Sequence, residues 1–257
     1  MIIYFSGTGN SRFVAEKLGS ILGDNVFEML YLTDELLSEK RIIWVFPTYS
    51  WGVPPVVKNV ISKINIDVDC VNYMVTTCGD DIGDCHKMWR RLMAKRGYKT
   101  SSTFSVIMPN TYVCMKGFNT DSSELCTMKV NNAITRIDDI ANVISTLKFT
   151  VDDVTRGRWA WIKTNIIYPY FVRFCMNPKK FKTLEHCNHC GKCSMECPLG
   201  NIKLVDNKPV WGDNCAFCLR CYHTCPKHAV DYDNATKGKG QYIFRIRYKS
   251  WNFIKKD

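Results

Sequence analysis

The sequence lacks long uncharged apolar runs, low-complexity tracts and chain-breaking residues in excess. No stretch of about 18 apolar residues occurs, which excludes a membrane-spanning helix. The opening residues Met1-Ile2-Ile3-Tyr4-Phe5-Ser6-Gly7 offer no basic start and no small-residue cleavage site, so no secretory leader is expected. Only 15 glycines and 9 prolines occur in 257 residues, and 46% of the chain is hydrophobic. That composition excludes both collagen-like repeats and intrinsic disorder. Histidine is scarce and dispersed (His86, His186, His189, His223, His228). Four of the five lie near the cysteine-rich stretch, where surface placement is expected. No Ser/His/Asp triad or acid–base pair stands out, so no catalytic residue is assigned. Neither a Walker loop nor a GxGxxG turn is present. The length fits one large domain or two ordinary ones, and a cytoplasmic location is expected.

Cysteine is abundant: fourteen residues. In a reducing compartment, clustered cysteines read as metal ligands or reactive thiols before disulfides. Six are scattered (Cys70, Cys78, Cys85, Cys114, Cys126, Cys175). Eight fall between residues 187 and 225, in two runs of identical spacing. Cys187, Cys190, Cys193 and Cys197 form the first, and Cys215, Cys218, Cys221 and Cys225 the second. Both read C-x2-C-x2-C-x3-C-P. Three thiolates at such intervals on a tight loop reach three corners of one cubane, and a fourth ligand comes from elsewhere. A zinc ribbon is the plainer alternative for paired CxxC motifs. Zinc, however, requires neither a third cysteine at the same interval nor a Cys-Pro ending, twice over.

Over residues 183–234 these runs resemble the bacterial ferredoxins that carry two [4Fe–4S] clusters. The resemblance implies that Cys187, Cys190, Cys193 and Cys225 hold one cluster. Cys215, Cys218, Cys221 and Cys197 would hold the other. Crossed ligation ties both runs into one pseudo-symmetric unit whose folding depends on the metal. Between the runs, residues 202–211 read as a short hairpin with Asp206-Asn207 at the turn, and 229–232 as a matching strand.

In the N-terminal half, the apolar run 2–5 leads into Ser6-Gly7-Thr8-Gly9-Asn10-Ser11 and then an amphipathic helix. Small and hydroxyl residues between a strand and a helix N-terminus suit a phosphate cradle. Further strand candidates lie at 25–31, 42–47, 71–77 and 103–108. Helical patterns at 54–63, 83–96 and 123–147 separate them. Alternation of this kind predicts a doubly wound parallel sheet with ligands at the carboxyl ends of its strands.

Residues 1–147 resemble the flavodoxins. The resemblance implies a five-stranded sheet and an FMN site built from three loops. Ser6, Thr8, Gly9, Asn10 and Ser11 would address the phosphate. Pro47, Thr48, Tyr49, Ser50, Trp51 and Gly52 would flank the ring, with Trp51 stacked on one face. Thr77, Cys78, Gly79 and Asp80 would meet its pyrimidine edge. Flavodoxins place an aromatic residue just beyond that last stretch, whereas this chain has Ile82 and Gly83. The second ring face is then open to a substrate or covered by loop 110–116, the cysteine-rich unit or a second subunit, so a homodimer is admitted.

The expected fold class is therefore α/β, a flavodoxin-like doubly wound sheet followed by a small α+β 2[4Fe–4S] ferredoxin-like domain. Residues 148–182 form a helical linker, and 235–257 a basic tail whose 242–248 stretch alternates like a strand. Residues 159–176 are apolar and aromatic. They read as a helix buried between the halves or against a partner. The alternative is an anchor on a membrane surface, with Arg156, Arg158, Lys179, Lys180 and Lys182 nearby. The formal net charge is +11. Two clusters and one FMN phosphate would lower it to roughly +5. A basic face suits acidic redox partner proteins, while no motif for nucleic acid accompanies it.

Together the two resemblances point to the flavodoxin–ferredoxin fusion proteins. They imply an electron-transfer protein that links single-electron carriers to a two-electron flavin. An FMN-dependent reductase of a small acceptor (a flavin, quinone or similar), fed through the clusters, is the alternative, and a redox sensor a distant third.

Overall fold

The computed structural model describes residues 1–32, 37–146 and 150–244. Strands β1 (Ile2–Tyr4), β2 (Val26–Glu28), β3 (Arg41–Pro47), β4 (Val71–Cys78) and β5 (Lys99–Ile107) alternate with helices α1 (Asn10–Leu22), α2 (Pro55–Lys63) and α3 (Cys85–Lys95). Helix α4 (Ser123–Thr146) follows β5, and a two-residue strand, β6 (Asp152–Asp153), follows α4. All pair in parallel in the order β2-β1-β3-β4-β5-β6. The sheet has six strands, one more than expected. The extra strand is too short and too acidic to register as an apolar run. It is held at the edge by Arg90, which pairs with Asp152 at 2.5 Å, and by Arg136, which pairs with Asp153 at 2.7 Å.

The central strands β1, β3 and β4 are buried on both faces, and their period-two alternation divides the core. Ile42, Trp44 and Phe46 of β3 pack with Val57, Ile61 and Trp89 on the α2/α3 side. Ile43 and Val45 pack with Val14, Leu18, Ile137 and Ile140 on the α1/α4 side. The indole N–H of buried Trp44 donates to Asn72 Oδ1 at 2.9 Å. This sandwich fixes where each strand ends, and so where the loops that follow must meet.

After β6 comes a continuous helical segment, α5 (residues 160–175). Its α-helical turns (Ala160–Ile162, Tyr168–Tyr170) alternate with π-helical ones (Lys163–Ile167, Phe171–Cys175). Pro169 cannot donate the usual backbone bond, a known cause of local helix irregularity.

The rest of the chain is built twice. Strands β7 (Phe181–Thr183), β8 (Ile202–Val205), β9 (Lys208–Trp211) and β10 (Val230–Tyr232) form two antiparallel pairs, β7 with β10 and β8 with β9. Short helices α6 (Lys192–Met195) and α7 (Arg220–Thr224) follow the two cysteine loops. Lys192 and Arg220 begin their helices 28 residues apart (220 − 192). Left-handed backbone recurs at the same offset, at His189 and Phe217, Gly191 and Leu219, and Gly200 and His228. Identical cysteine spacing therefore yields the same loop conformation twice. The β8–β9 hairpin turns at Asp206 and Asn207, both at positive φ as a tight two-residue turn requires. Strand β7 straddles the expected 182/183 boundary, because Phe181 is part of the aromatic core with Trp211, Phe217 and Tyr232.

Residues 242–244 are not a strand, and 245–248 with the remaining tail lie outside the described residues. Within the described part, Lys239 donates to the carbonyls of Val113 (2.7 Å) and Met115 (2.5 Å), so it braces a loop instead of facing a partner.

Candidate functional site

The three expected flavin loops meet at the carboxyl ends of β1, β3 and β4. Ser11 Oγ and Thr77 Oγ1 share a hydrogen bond of 2.8 Å, and Thr48 and Thr76 share one of 2.9 Å. Thr48 N–H donates to Thr77 O at 2.8 Å, and Asn10 Nδ2 donates to Pro109 O beyond β5 at 2.9 Å. Within the first loop, Ser6 Oγ accepts from Gly9 N–H at 3.1 Å. Asn10 and Ser11 thus tie the first loop to its neighbours, and Ser6 braces it from within. Of the loop's four polar side chains, that of Thr8 alone makes no hydrogen bond to the described residues. The buried Asn10 Oδ1, Tyr49 hydroxyl and Tyr112 hydroxyl have no partner. Asn10 and Tyr49 lie in these loops and Tyr112 in loop 110–116; buried polar atoms without partners are uncommon and costly, and a polar ligand would satisfy the first two.

The second loop turns tightly. Tyr49 and Gly52 exchange backbone hydrogen bonds of 3.0 and 2.9 Å across Ser50 (φ 42°) and Trp51 (φ 63°). Non-glycine residues at such φ are strained, and that strain is typical of positions held for a purpose. Helix α5 holds this one. Thr164 Oγ1 donates to Trp51 O at 2.7 Å and accepts from Asp84 N–H at 2.8 Å. The Tyr168 hydroxyl donates to Val53 O, and its ring lies where any side chain at Gly52 would stand. Lys163, paired with Asp81 at 2.6 Å, sets its ammonium 5.0 Å from the Trp51 ring centre.

In the third loop, Cys78 is deeply buried, and burial pushes its thiol far above the ordinary range. Lys129 donates to Gly79 O at 3.0 Å and pairs with Asp121 at 2.7 Å, both nearly buried. Asp121 also accepts from the backbone and side chain of Asn110. Burial alone would raise the Asp121 carboxyl, but Lys129 and Asn110 hold it below its usual range. Removing either partner of such a pair costs about 3 kcal/mol or more, because the other charge stays buried.

The eight cysteines of the two runs sort four and four around two cavities. One, a narrow cavity of about 20 Å³, is lined by Cys187, Cys190, Cys193 and Cys225. The other, also about 20 Å³, is lined by Cys197, Cys215, Cys218 and Cys221. Each cavity takes three cysteines from one run and the last cysteine of the other. Backbone N–H groups point at the sulfurs in the same way in both halves. Asn201 donates to Cys197 Sγ and Ala229 to Cys225 Sγ, each at 3.3 Å and each four residues on. Phe217 N–H adds a third such bond to Cys215, also 3.3 Å. The Trp211 indole N–H is buried without a partner beside Cys221. Burial raises the Cys193, Cys218 and Cys221 thiols and pushes Cys215 up to about 11. Bare thiolates are disfavoured there unless positive charge arrives with the occupant. No three His, Cys, Asp or Glu side chains among the described residues are grouped for a single metal ion.

The two sites touch. A side chain at Gly7 would collide with the carbonyl oxygen of Cys218. Arg220, next to Cys221, donates from Nε to Gly7 O at 2.8 Å and from Nη2 to Ser6 O at 2.7 Å. Tyr49 packs in one apolar cluster with Cys218, Ala216 and Leu199. A cavity of about 480 Å³ opens beside this junction, lined by Ser6–Gly9, by the cations Arg12, Lys192 and Arg220 and the acids Glu28 and Glu196, but by nothing from the second or third loop.

Sequence patterns missed these fastenings. The sequence patterns give Arg220, Lys129 and Asp121 no role. His223, expected at the surface, is buried: its Nε2 bonds Thr111 O at 2.8 Å, and Tyr242 N–H donates to its Nδ1 at 3.1 Å. Burial lowers its pKa to about 4, so the ring is a neutral clamp on loop 110–116.

Fold and site together define an α/β protein whose six-stranded parallel sheet carries a cysteine-lined unit at the carboxyl ends of its strands. Comparison with protein-family models and with curated proteins finds no match to either. Among solved structures the chain is similar to the Trp repressor binding protein from Bacillus subtilis, at 13% identity and a TM-score of 0.35. That likeness covers 59% of this chain and 100% of the other, and is too slight to carry an argument.

Proposed function

We propose that this chain is an electron-transfer protein of the flavodoxin–ferredoxin fusion type, with two [4Fe–4S] clusters and one FMN. The observation that carries the reading is the sorting of eight cysteines into two crossed sets of four, one set resting on the loop that begins α1. When bound, the clusters exchange single electrons and FMN joins one-electron to two-electron chemistry.

The chain's own residues do the rest. Cys187, Cys190, Cys193 and Cys225 hold the outer site, where Cys190 is exposed and available to an acidic donor protein. Cys197, Cys215, Cys218 and Cys221 hold the inner site, and the N–H groups of Asn201, Phe217 and Trp211 moderate its negative charge. Arg220 and the bare backbone of Gly7 keep the inner site against the flavin loops. Thr8 addresses the phosphate, Asn10 and Tyr49 offer polar contacts, and α5 closes over Trp51 to keep water from the ring.

Titration of the flavin-free protein with FMN, followed by fluorescence quenching, tests the placement of the flavin. Thr8→Ala removes a charge-assisted hydrogen bond of about 1.5–3 kcal/mol. Affinity should therefore fall roughly tenfold to hundredfold. Equal affinity in wild type and variant would refute the placement.

A further inference from the structure

Helix α5 uses one face and leaves the other bare. Ala160, Thr164, Tyr168 and Phe171 are buried against the sheet domain and the cysteine-rich unit. On the opposite face Trp161 (61% exposed), Ile166 (55%), Tyr170 (60%) and Phe174 (61%) follow one another at four- or five-residue intervals. Trp159, Ile162 and Ile167 widen the stripe. A contiguous apolar band of this kind marks an interaction surface. No helix among the described residues is long and apolar enough to cross a membrane, and Lys163, Asn165, Pro169 and Arg173 interrupt this one.

The three helices around the stripe carry side-chain charge of a single sign. Helices α2, α3 and α5 contain Lys58, Lys63, Lys87, Arg90, Arg91, Lys95, Lys163 and Arg173, and no Asp or Glu. Lys87, Arg90 and Lys163 are paired with acids from other elements: Asp84, Asp152 and Asp81. A groove of about 680 Å³ between the three helices is lined by Lys58, Arg91, Lys95 and Arg173, with Tyr168 and Val172 in its wall and no acidic residue. None of these four cations is in an ion pair among the described residues. Lys58 is held 4.5 Å over the Tyr168 ring centre, so its ammonium is fixed at the floor of the groove.

A second copy of this chain is a poor occupant. An isologous pairing through the stripe would bring two uncompensated cationic grooves together. A surface of dense negative charge over an apolar interior fits both halves of the feature. Trp, Tyr, Phe and Ile beside Lys and Arg is the composition of helices that lie in a lipid interface.

We propose that α5 and the groove beside it dock this protein on an anionic lipid bilayer. The helix lies flat, its aromatic stripe enters the interface, and Lys58, Arg91, Lys95 and Arg173 meet lipid phosphates. The proposal is independent of the cofactor assignment.

The test is co-sedimentation of the full chain with vesicles of equimolar phosphatidylglycerol and phosphatidylcholine, against phosphatidylcholine alone. Binding is expected on the mixed vesicles only, weakening as salt rises, with a blue shift of tryptophan fluorescence. R91Q/K95Q should weaken it roughly thirtyfold, since each cation near such a surface is worth about fivefold. Trp161→Ser with Ile166→Ser should weaken binding and reduce the blue shift while circular dichroism stays that of the wild type, because both side chains already face solvent. Equal binding to both vesicle types, no binding to either, or variants that bind like wild type would overturn the proposal. So would a wild-type dimer in gel filtration that Trp161→Ser makes monomeric, since the stripe would then belong to a second copy.

Discussion

Cys225→Ala is expected to disable the metal site of the opposite run, leaving the site of its own run intact. Cys225 lines the cavity of Cys187, Cys190 and Cys193, and Ala229 N–H donates to its sulfur. Removing one of four thiolates typically costs a cubane its stability, so about half of the bound iron should be lost or labile. Cys197→Ala should do the same to the site of Cys215, Cys218 and Cys221. Double variants separate crossed from uncrossed ligation without spectral assignment. Cys187→Ala with Cys225→Ala should lose little more iron than either alone, because both changes strike one site. Cys187→Ala with Cys197→Ala should lose nearly all of it, because they strike two. The reverse pattern would mean that each run holds its own metal.

Gly7→Val is expected to push the flavin loops away from the inner cysteine site while leaving both able to load. The valine would meet the backbone of Cys218, which cannot rotate aside, at a cost of about 1–3 kcal/mol of overpacking. Arg220→Ala approaches the same contact without crowding. It deletes two hydrogen bonds to the loop, worth about 2 kcal/mol together. In both variants iron content and cluster absorbance should match the wild type, and reduction of the flavin by an external one-electron donor should slow. Wild-type reduction rates in both would mean that electrons reach the flavin without passing the inner site.

Much of this fold is legible in the chain. The apolar runs at 42–47 and 71–77 are strands because residues buried on both faces need no polar alternation, and the helices between them keep a 3.6-residue rhythm. The cysteine spacing carries the internal symmetry directly, down to left-handed backbone at His189 and Phe217, where side chains alone gave no hint of it. What stayed hidden depends on partners far away in sequence. Asp152-Asp153 pairs with β5 while Thr103, Arg90 and Arg136 receive its carboxylates. His223 is buried only because Thr111 and Tyr242 satisfy both ring nitrogens. The 160–175 segment reads as apolar throughout, and only packing separates the face that clamps Trp51 and Val53 from the face left in solvent.

We propose that two crossed cysteine sets and three convergent loops hold two clusters and a flavin. Anaerobic purification followed by measurement of iron, acid-labile sulfide, zinc and flavin per chain tests it most directly. About eight iron, about eight sulfide and one FMN per chain are expected, with negligible zinc. Zinc in place of iron, or a reconstituted protein that takes up no flavin, would contradict it.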